Sequence, residues 1–341
     1  MINQETIKHI RVGRNVFDTP PKISVIIPAY NAAEFIAEAL DSVIDQKYRE
    51  HEIIVVNDGS PDTTQLERAI RNQLEEIVYI KQRNAGAGVA RNTAIQHARG
   101  QIVAFLDADD VWLPDFLASQ YVFLERHGYD MVYCDAHLFG MRSAYRRTFM
   151  ETSPSIGAAD FDAILDLRCI PITSGTIARK QVVVDAGMFE TDRVRNEDFH
   201  LWLKMAKNGA TIGYQQKQLL KHRVRPDGLS GDSISRVERV IDAFQRVKAT
   251  IDLTEGQREI VMRRLAEFEA DLAVEQGKAF LLSGEFREAA TAFRVANRYR
   301  KSPKLTAITV LARIAPHILL RYYKNHRSSD IAFLPNIEKQ A

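Results

Sequence analysis

Short apolar runs broken by polar turns dominate the first 135 residues. Ile23-Ser24-Val25-Ile26-Ile27, closed by Pro28, predicts a buried strand, and Phe35, Ile36, Leu40, Val43 and Ile44 on one face predict the helix after it. Glu52 to Val56 predicts a second strand. It ends in Asn57-Asp58-Gly59-Ser60-Pro61-Asp62, whose Gly, Asn and Asp suit a turn, and a helix is expected over residues 62–75. Ile77-Val78-Tyr79-Ile80 reads as a third strand, and Asn84-Ala85-Gly86-Ala87-Gly88 as the loop into a helix running through Arg99. The run Gln101 to Leu106 is a strand that stops abruptly at Asp107-Ala108-Asp109-Asp110. A helix near 114–127, with Asp110 as its N-cap, and a strand from Asp130 to Tyr133 complete this half. Strands alternating with helices at this spacing predict an α/β doubly wound, mostly parallel sheet with right-handed crossovers. Ligands of such sheets bind beyond the carboxyl ends of the strands. Tyr30-Asn31, Asn57-Asp58-Gly59-Ser60 and Asp107-Ala108-Asp109 all fall at such ends, so one site could collect them.

From about 136 to 232 the alternation lapses. Ser174 to Ala178 reads as a strand, and Glu197 to Asn208 as a helix with Trp202 in the core. After Ser233 the pattern is wholly helical. Leu272 to Arg298, with small residues at crossing positions and Gly284 before Phe286, resembles one tetratricopeptide-type hairpin. Residues 1–21 show no clear period and are expected to be an arm; residues 328–341 are expected to be a tail.

Composition narrows the function classes. With 46 basic and 44 acidic residues among 341, the net charge of +2 argues against a nucleic-acid partner across the whole surface. Cys134 and Cys169 are too few for a disulfide framework, which favours a reducing compartment. No signal-peptide pattern and no uncharged apolar run of about 20 residues is visible, so a cytoplasmic location is expected. Residues 298–327 hold eight Lys/Arg and no carboxylate among apolar positions. This suggests either peripheral membrane association through residues 304–325 or a helix packed on its own domain with a solvated basic edge, interrupted by Pro316 in both cases.

Three carboxylates within four residues repel one another, and Asp107 and Asp109 are spaced to reach one hard metal ion through oxygen. A solvated acidic turn is the plainer alternative. The runs Ile23 to Asn31, Val55 to Ser60, Gly88-Val89-Ala90-Arg91-Asn92 and Phe105 to Asp110 together resemble a family-two glycosyltransferase. The resemblance is closest over 22–135 and looser to about 231. It implies an A-type glycosyltransferase fold, Rossmann-like, with a C-terminal all-helical extension. It also implies inverting transfer of a sugar from a nucleotide diphosphate donor, expected to be a UDP-sugar, to a glycan or lipid-linked glycan. The implied organisation is a catalytic domain over 22–232, divided into a nucleotide-binding half (22–135) and an acceptor half (136–232), then a helical extension over 233–327.

By the same resemblance, Pro28, Ala29, Tyr30 and Asn31 cradle the nucleoside, with Tyr30 against the base, and Asp58 accepts a hydrogen bond from the base. Asx-turn chemistry is the structural alternative for Asp58. Arg91 and Ala108 lie near the donor, with a surface salt bridge as the alternative for Arg91. Asp109 would bind Mg²⁺ or Mn²⁺ at the diphosphate, while Asp107 would contact the ribose of the nucleotide sugar or the metal. Asp198, in Asn196-Glu197-Asp198-Phe199, would be the general base, and Glu197 and Met188 lie on the acceptor side. The alternative for this acidic pair is favourable charge at a helix N-terminus. The family often has a metal-assisting histidine where this chain, counted from Leu229-Ser230, has Arg225; His222 is the other candidate for a phosphate contact. Arginine clamps phosphate but does not ligate metal. Two other readings remain at this point: a dinucleotide-dependent oxidoreductase, supported by Gly86-Ala87-Gly88, and a non-catalytic nucleotide-sugar or partner-binding module.

Overall fold

The computed structural model describes residues 7–13, 20–140, 147–153, 155–192, 196–225 and 233–325. They fall into two compact units, one ending at Arg223 and one beginning at Val224.

The first unit is built on β2 (Ile23–Ala29), β3 (His51–Asp58), β4 (Val78–Gln82) and β5 (Ile102–Phe105), whose side chains are almost all buried. Strands covered on both faces need such continuous apolar runs. They pair in parallel in the order β4-β3-β2-β5. Helices α1 (Ile36–Ile44), α2 (Thr63–Ala69) and α3 (Ala87–His97) make the crossovers. The strand order reverses between β2 and β5, so the ends carrying Tyr30-Asn31 and Asp107-Asp109 flank a topological switch point, where α/β sheets bind ligands.

Beyond β5 the sheet becomes mixed. It continues through antiparallel β8 (Thr176–Arg179), then β7 (Met131–Phe139), β9 (Ile212–Arg223) and the short β6 (Val111–Trp112). Within the stretch expected as an arm, Ile7–Val12 (β1) pairs antiparallel with β4 at the opposite edge. Its side chains are mostly exposed, so main-chain pairing holds it and no hydrophobic period announces it.

Asp110 is not a helix cap, which corrects the sequence expectation. α4 (Phe116–His127) starts after Asp115, while Val111 and Trp112 pair with Lys221 and Leu220 of β9. That pairing draws Asp110 fully inside. Three short helices, α5 (Phe149–Thr152), α6 (Phe161–Leu165) and α7 (Lys180–Asp185), precede α8 (Glu197–Lys207), which follows the expected helix; its Trp202 is buried against Phe105 and Phe189 at centroid distances of 6.0 and 6.1 Å.

The second unit is helical: α9 (Ser233–Thr250), α10 (Glu255–Ser283), α11 (Phe286–Arg300), α12 (Pro303–Ile314) and α13 (Pro316–Asn325), each packed on the next. Gly284, with φ 85°, ends α10 in the left-handed conformation that favours glycine, so the chain reverses into α11. Gly277 lets α11 approach, since a Cβ there would lie 2.7 Å from the Phe293 ring. Replacing Gly277 with Val is therefore expected to destabilise the helical unit by about 1–3 kcal/mol, through overpacking. An unchanged denaturant midpoint would show that the hairpin yields at this contact.

Candidate active site

The loops after β2 and β3 are laced together. Asn31 sits in the left-handed region (φ 51°), and its N–H donates to Ser60 Oγ at 2.6 Å. The Ala33 N–H donates to Asp62 Oδ2 at 2.9 Å, and the Ser60 N–H to Asn57 Oδ1 at 2.9 Å. Ala29 is buried and Pro28 half-buried beneath this turn, while the Tyr30 ring is 54% exposed. Asp58 is buried: Oδ1 accepts from Gln82 Nε2 (2.7 Å) and the Ala85 N–H (2.9 Å), and Oδ2 from the Gly86 N–H (2.8 Å). These bonds let Asp58 fix the 84–86 loop. Gly59 (φ 63°) makes this possible, because a Cβ there would meet the Asn84 nitrogen at 2.5 Å.

The centre of the site is Arg91, on α3. Its side chain is 6% exposed; one terminal nitrogen donates to Asp107 Oδ1 at 2.6 Å and the other to Glu197 Oε1 at 2.5 Å. The guanidinium also lies over the Phe189 ring, 5.3 Å from its centroid. Burial alone would lower the Arg91 pKa, but Asp107, Glu197 and Asp198 raise it. Burial pushes the Glu197 carboxyl up, with Arg91 opposing it. The bridge thus ties the acidic turn after β5 to the start of α8.

Neighbouring groups set the geometry further. Asn92 makes a two-way amide contact with Phe189, donating to its carbonyl at 2.7 Å and accepting from its N–H at 2.9 Å. This fixes the Gly187–Glu190 loop, in which Met188 is half-buried with φ 59°. Gly88 allows the close approach, because a Cβ would lie 2.5 Å from the Glu190 carbonyl oxygen. A turn at Thr173–Gly175 touches both acidic segments: the Asp107 N–H donates to Ser174 Oγ at 3.1 Å, and Thr173 Oγ1 donates to Asp198 Oδ2 at 2.5 Å. Asp198 Oδ1 accepts from the Phe199 N–H at 2.8 Å, so the half-buried carboxylate is held on both oxygens.

On the other side of the turn Ala108 is buried and Asp109 partly exposed. Asp110 Oδ1 accepts from the Arg223 N–H at 2.8 Å, and its Oδ2 lies 2.9 Å from His222 Nδ1. Burial would lower the His222 pKa, but Asp110, with Asp109 and Asp107 beyond it, pushes it up to about 8. Arg223 donates through Nε to the Asp109 carbonyl at 2.8 Å and packs between the Phe35 and Phe139 rings, 4.8 and 4.3 Å from their centroids.

The sequence candidates from the acidic turn, Arg91, Glu197, Asp198 and His222 are therefore mutually connected, with Met188 in the adjoining loop. Arg225, half-buried, lies two residues past β9 in the second unit, and Leu229-Ser230 lie outside the described residues. Thr173, Ser174, Asn92, Phe189, Asp110 and Arg223 also position the site, and sequence reasoning gave them no such role. Residues 24–183 match the model described as Glycosyl transferase family 2. TuaG of Bacillus subtilis (strain 168), a glycosyltransferase named for teichuronic acid biosynthesis, is 30% identical over 258 residues, covering 72% of this chain and 98% of TuaG. WfgD of Escherichia coli, named UDP-Glc:alpha-D-GlcNAc-diphosphoundecaprenol beta-1,3-glucosyltransferase, is 24% identical over 230 residues, or 65% of this chain and 85% of WfgD.

Solved structures share the fold. S. aureus TarS 1-349 in complex with UDP-GlcNAc has TM-score 0.56 at 21% identity, covering 91% of this chain and 93% of that one. Mannosyltransferase PcManGT from Pyrobaculum calidifontis, in complex with GDP-Man and Mn²⁺, has TM-score 0.56 at 20% identity, covering 91% and 88%. The sheet unit has the A-type glycosyltransferase architecture expected of it. Matched over 98% of TuaG and carrying that architecture, the chain belongs to glycosyl transferase family 2 and is a glycosyltransferase.

Proposed function

We infer that the chain inverts the anomeric carbon of a UDP-sugar, transferring the sugar to a hydroxyl of a glycan, either lipid-linked or part of a cell-surface polysaccharide. The observation that carries this reading is the Arg91 bridge, which joins the Asp107 turn to the Glu197-Asp198 helix start. A diphosphate-binding end and a proton-accepting end therefore share one cluster.

In this reading Asp198 takes the proton of the acceptor hydroxyl. The hydroxyl oxygen bonds to the anomeric carbon as the bond from that carbon to the diphosphate breaks, and UDP leaves with the electron pair. Each Asp198 oxygen already accepts one hydrogen bond and keeps a lone pair for the incoming hydroxyl. Tyr30 offers its exposed face to the base, where stacking contributes about 1–3 kcal/mol, and Asp58, fixed at the end of β3 by the 84–86 loop, accepts from the base. His222, held against Asp110 through Nδ1, meets a phosphate oxygen of the donor in this reading.

The residues present fit a divalent ion. Mg²⁺ and Mn²⁺ take carboxylate oxygens, and Mg²⁺ commonly uses one or two carboxylates completed by substrate phosphates and water. Asp109, half-buried in the turn after β5 with Asp107 two residues before it, would hold the ion together with the diphosphate. When bound, the ion offsets charge on the leaving diphosphate. The UDP-sugars named for the TarS complex and the WfgD reaction support this donor.

Two measurements test the reading. UDP release should appear on screening UDP-sugars with Mn²⁺, and turnover confined to GDP-sugars would overturn the donor. Replacing Asp109 with Asn should weaken UDP binding in Mn²⁺ by about tenfold or more, the equivalent of at least ~1.4 kcal/mol. Calorimetry giving the same affinity with and without that carboxylate would remove Asp109 from the role.

A further inference from the structure

We propose that the outer face of α12 and α13 is a docking surface for anionic lipid bilayers. The two helices turn Leu305, Ala312 and Leu319 into the core of the helical unit, where they join Ala289, Phe293 and Ala296. Their other side is apolar and faces solvent: Val310 is 47% exposed, Ile314 74%, Ile318 67% and Tyr322 61%. Isolated exposed apolar residues need no explanation, but these recur every four residues and form stripes on consecutive helices.

The charge beside the stripes gives the partner. Arg313, Arg321 and Lys324 are exposed next to it, Lys304 lies at the start of α12, and no Asp or Glu occurs from Ala289 to Asn325. An apolar stripe bordered by Lys and Arg is what an in-plane helix presents to a bilayer with negative headgroups. Among the described residues no helix is long and apolar enough to cross a membrane, so the contact is interfacial. A second copy fits less well, because a two-fold contact through this face would set Arg313, Arg321 and Lys324 against their own counterparts.

The surface does not depend on the donor or acceptor assigned above, because the assay reads binding alone. The full chain would be sedimented with phosphatidylcholine vesicles, and with vesicles in which about 30% of the lipid is phosphatidylglycerol, at low and at about 0.5 M salt. Binding should be at least about tenfold stronger to the phosphatidylglycerol vesicles and should fall with salt. Ile314→Asn/Ile318→Asn and Arg313→Gln/Arg321→Gln should each lose most of it, with unchanged helical circular dichroism and thermal midpoint. Equal partition to both vesicle types, or variants that bind as the parent does, would overturn the proposal. So would a parent dimer, seen by light scattering, that the Ile314/Ile318 variant dissociates, since the face would then serve a second copy. Binding that appears only after removal of residues 326–341 would assign the face to that segment instead and overturn it equally.

Discussion

Replacing Asp198 with Asn is expected to lower kcat by about 10²–10⁴-fold, the contribution of a positioned general base, while leaving UDP affinity within about twofold. The substitution keeps the shape of the side chain. Its amide oxygen can still accept from Thr173 or from the Phe199 N–H, which now hold the carboxylate at 2.5 and 2.8 Å. What it loses is the capacity to take a proton. Because Asp198 lies at the start of α8 and the nucleoside candidates lie after β2 and β3, the change should fall on turnover and spare the nucleotide. Single-turnover rates beside calorimetric UDP affinities would read both. Turnover retained within about threefold would exclude Asp198 as the base, and UDP affinity lost in parallel would move it to the donor side.

Much of this site can be read along the chain, because parallel strands announce themselves. Each of β2, β3 and β5 is a short apolar run that stops at polar residues, and the topology of alternating strands and helices brings those stops to one edge. The start of α8 also stands out, as two acids before an amphipathic run. What could not be read depends on pairing between distant segments. Asp110 looks like a cap because Trp112-Leu113-Pro114 follows it; its burial comes from β9, more than a hundred residues later. Thr173 and Ser174 are hydroxyl residues with no period, and only their turn beside β8 puts one on Asp198 and the other on Asp107. Arg223 reads as one more basic residue in a basic stretch until Phe35 and Phe139 enclose it. The same limit hid β1, whose exposed side chains carry no signal of the main-chain ladder that holds it.

Replacing Arg91 with Met should damage both stability and catalysis, with a deficit that depends on pH. Removing one partner of a buried ion pair costs about 3–5 kcal/mol, because the partner charge stays behind without compensation. Here the buried partner left behind is Glu197, at 2.5 Å and 12% exposed, while Asp107, at 2.6 Å and 36% exposed, is screened by solvent and adds less. Burial already raises the Glu197 pKa and Arg91 restrains it, so the variant raises it further. A carboxyl whose folded pKa exceeds its unfolded value is destabilising once ionised: its contribution is most favourable below the unfolded pKa and is lost as pH rises through the folded one. The gap between parent and variant should therefore be smallest near pH 4.5, the ordinary value for Glu197, and widen toward pH 8. Urea unfolding at the two pH values, with chelator present, would measure it, and a gap independent of pH would show that Arg91 contributes packing alone. Arg91→Lys should recover part of the stability but little of the rate, since a single ammonium cannot span both carboxylates as the planar guanidinium does. Activity would fall by around a hundredfold in both variants, because a displacement of about 1 Å between the acidic turn and α8 is enough to misalign donor and acceptor.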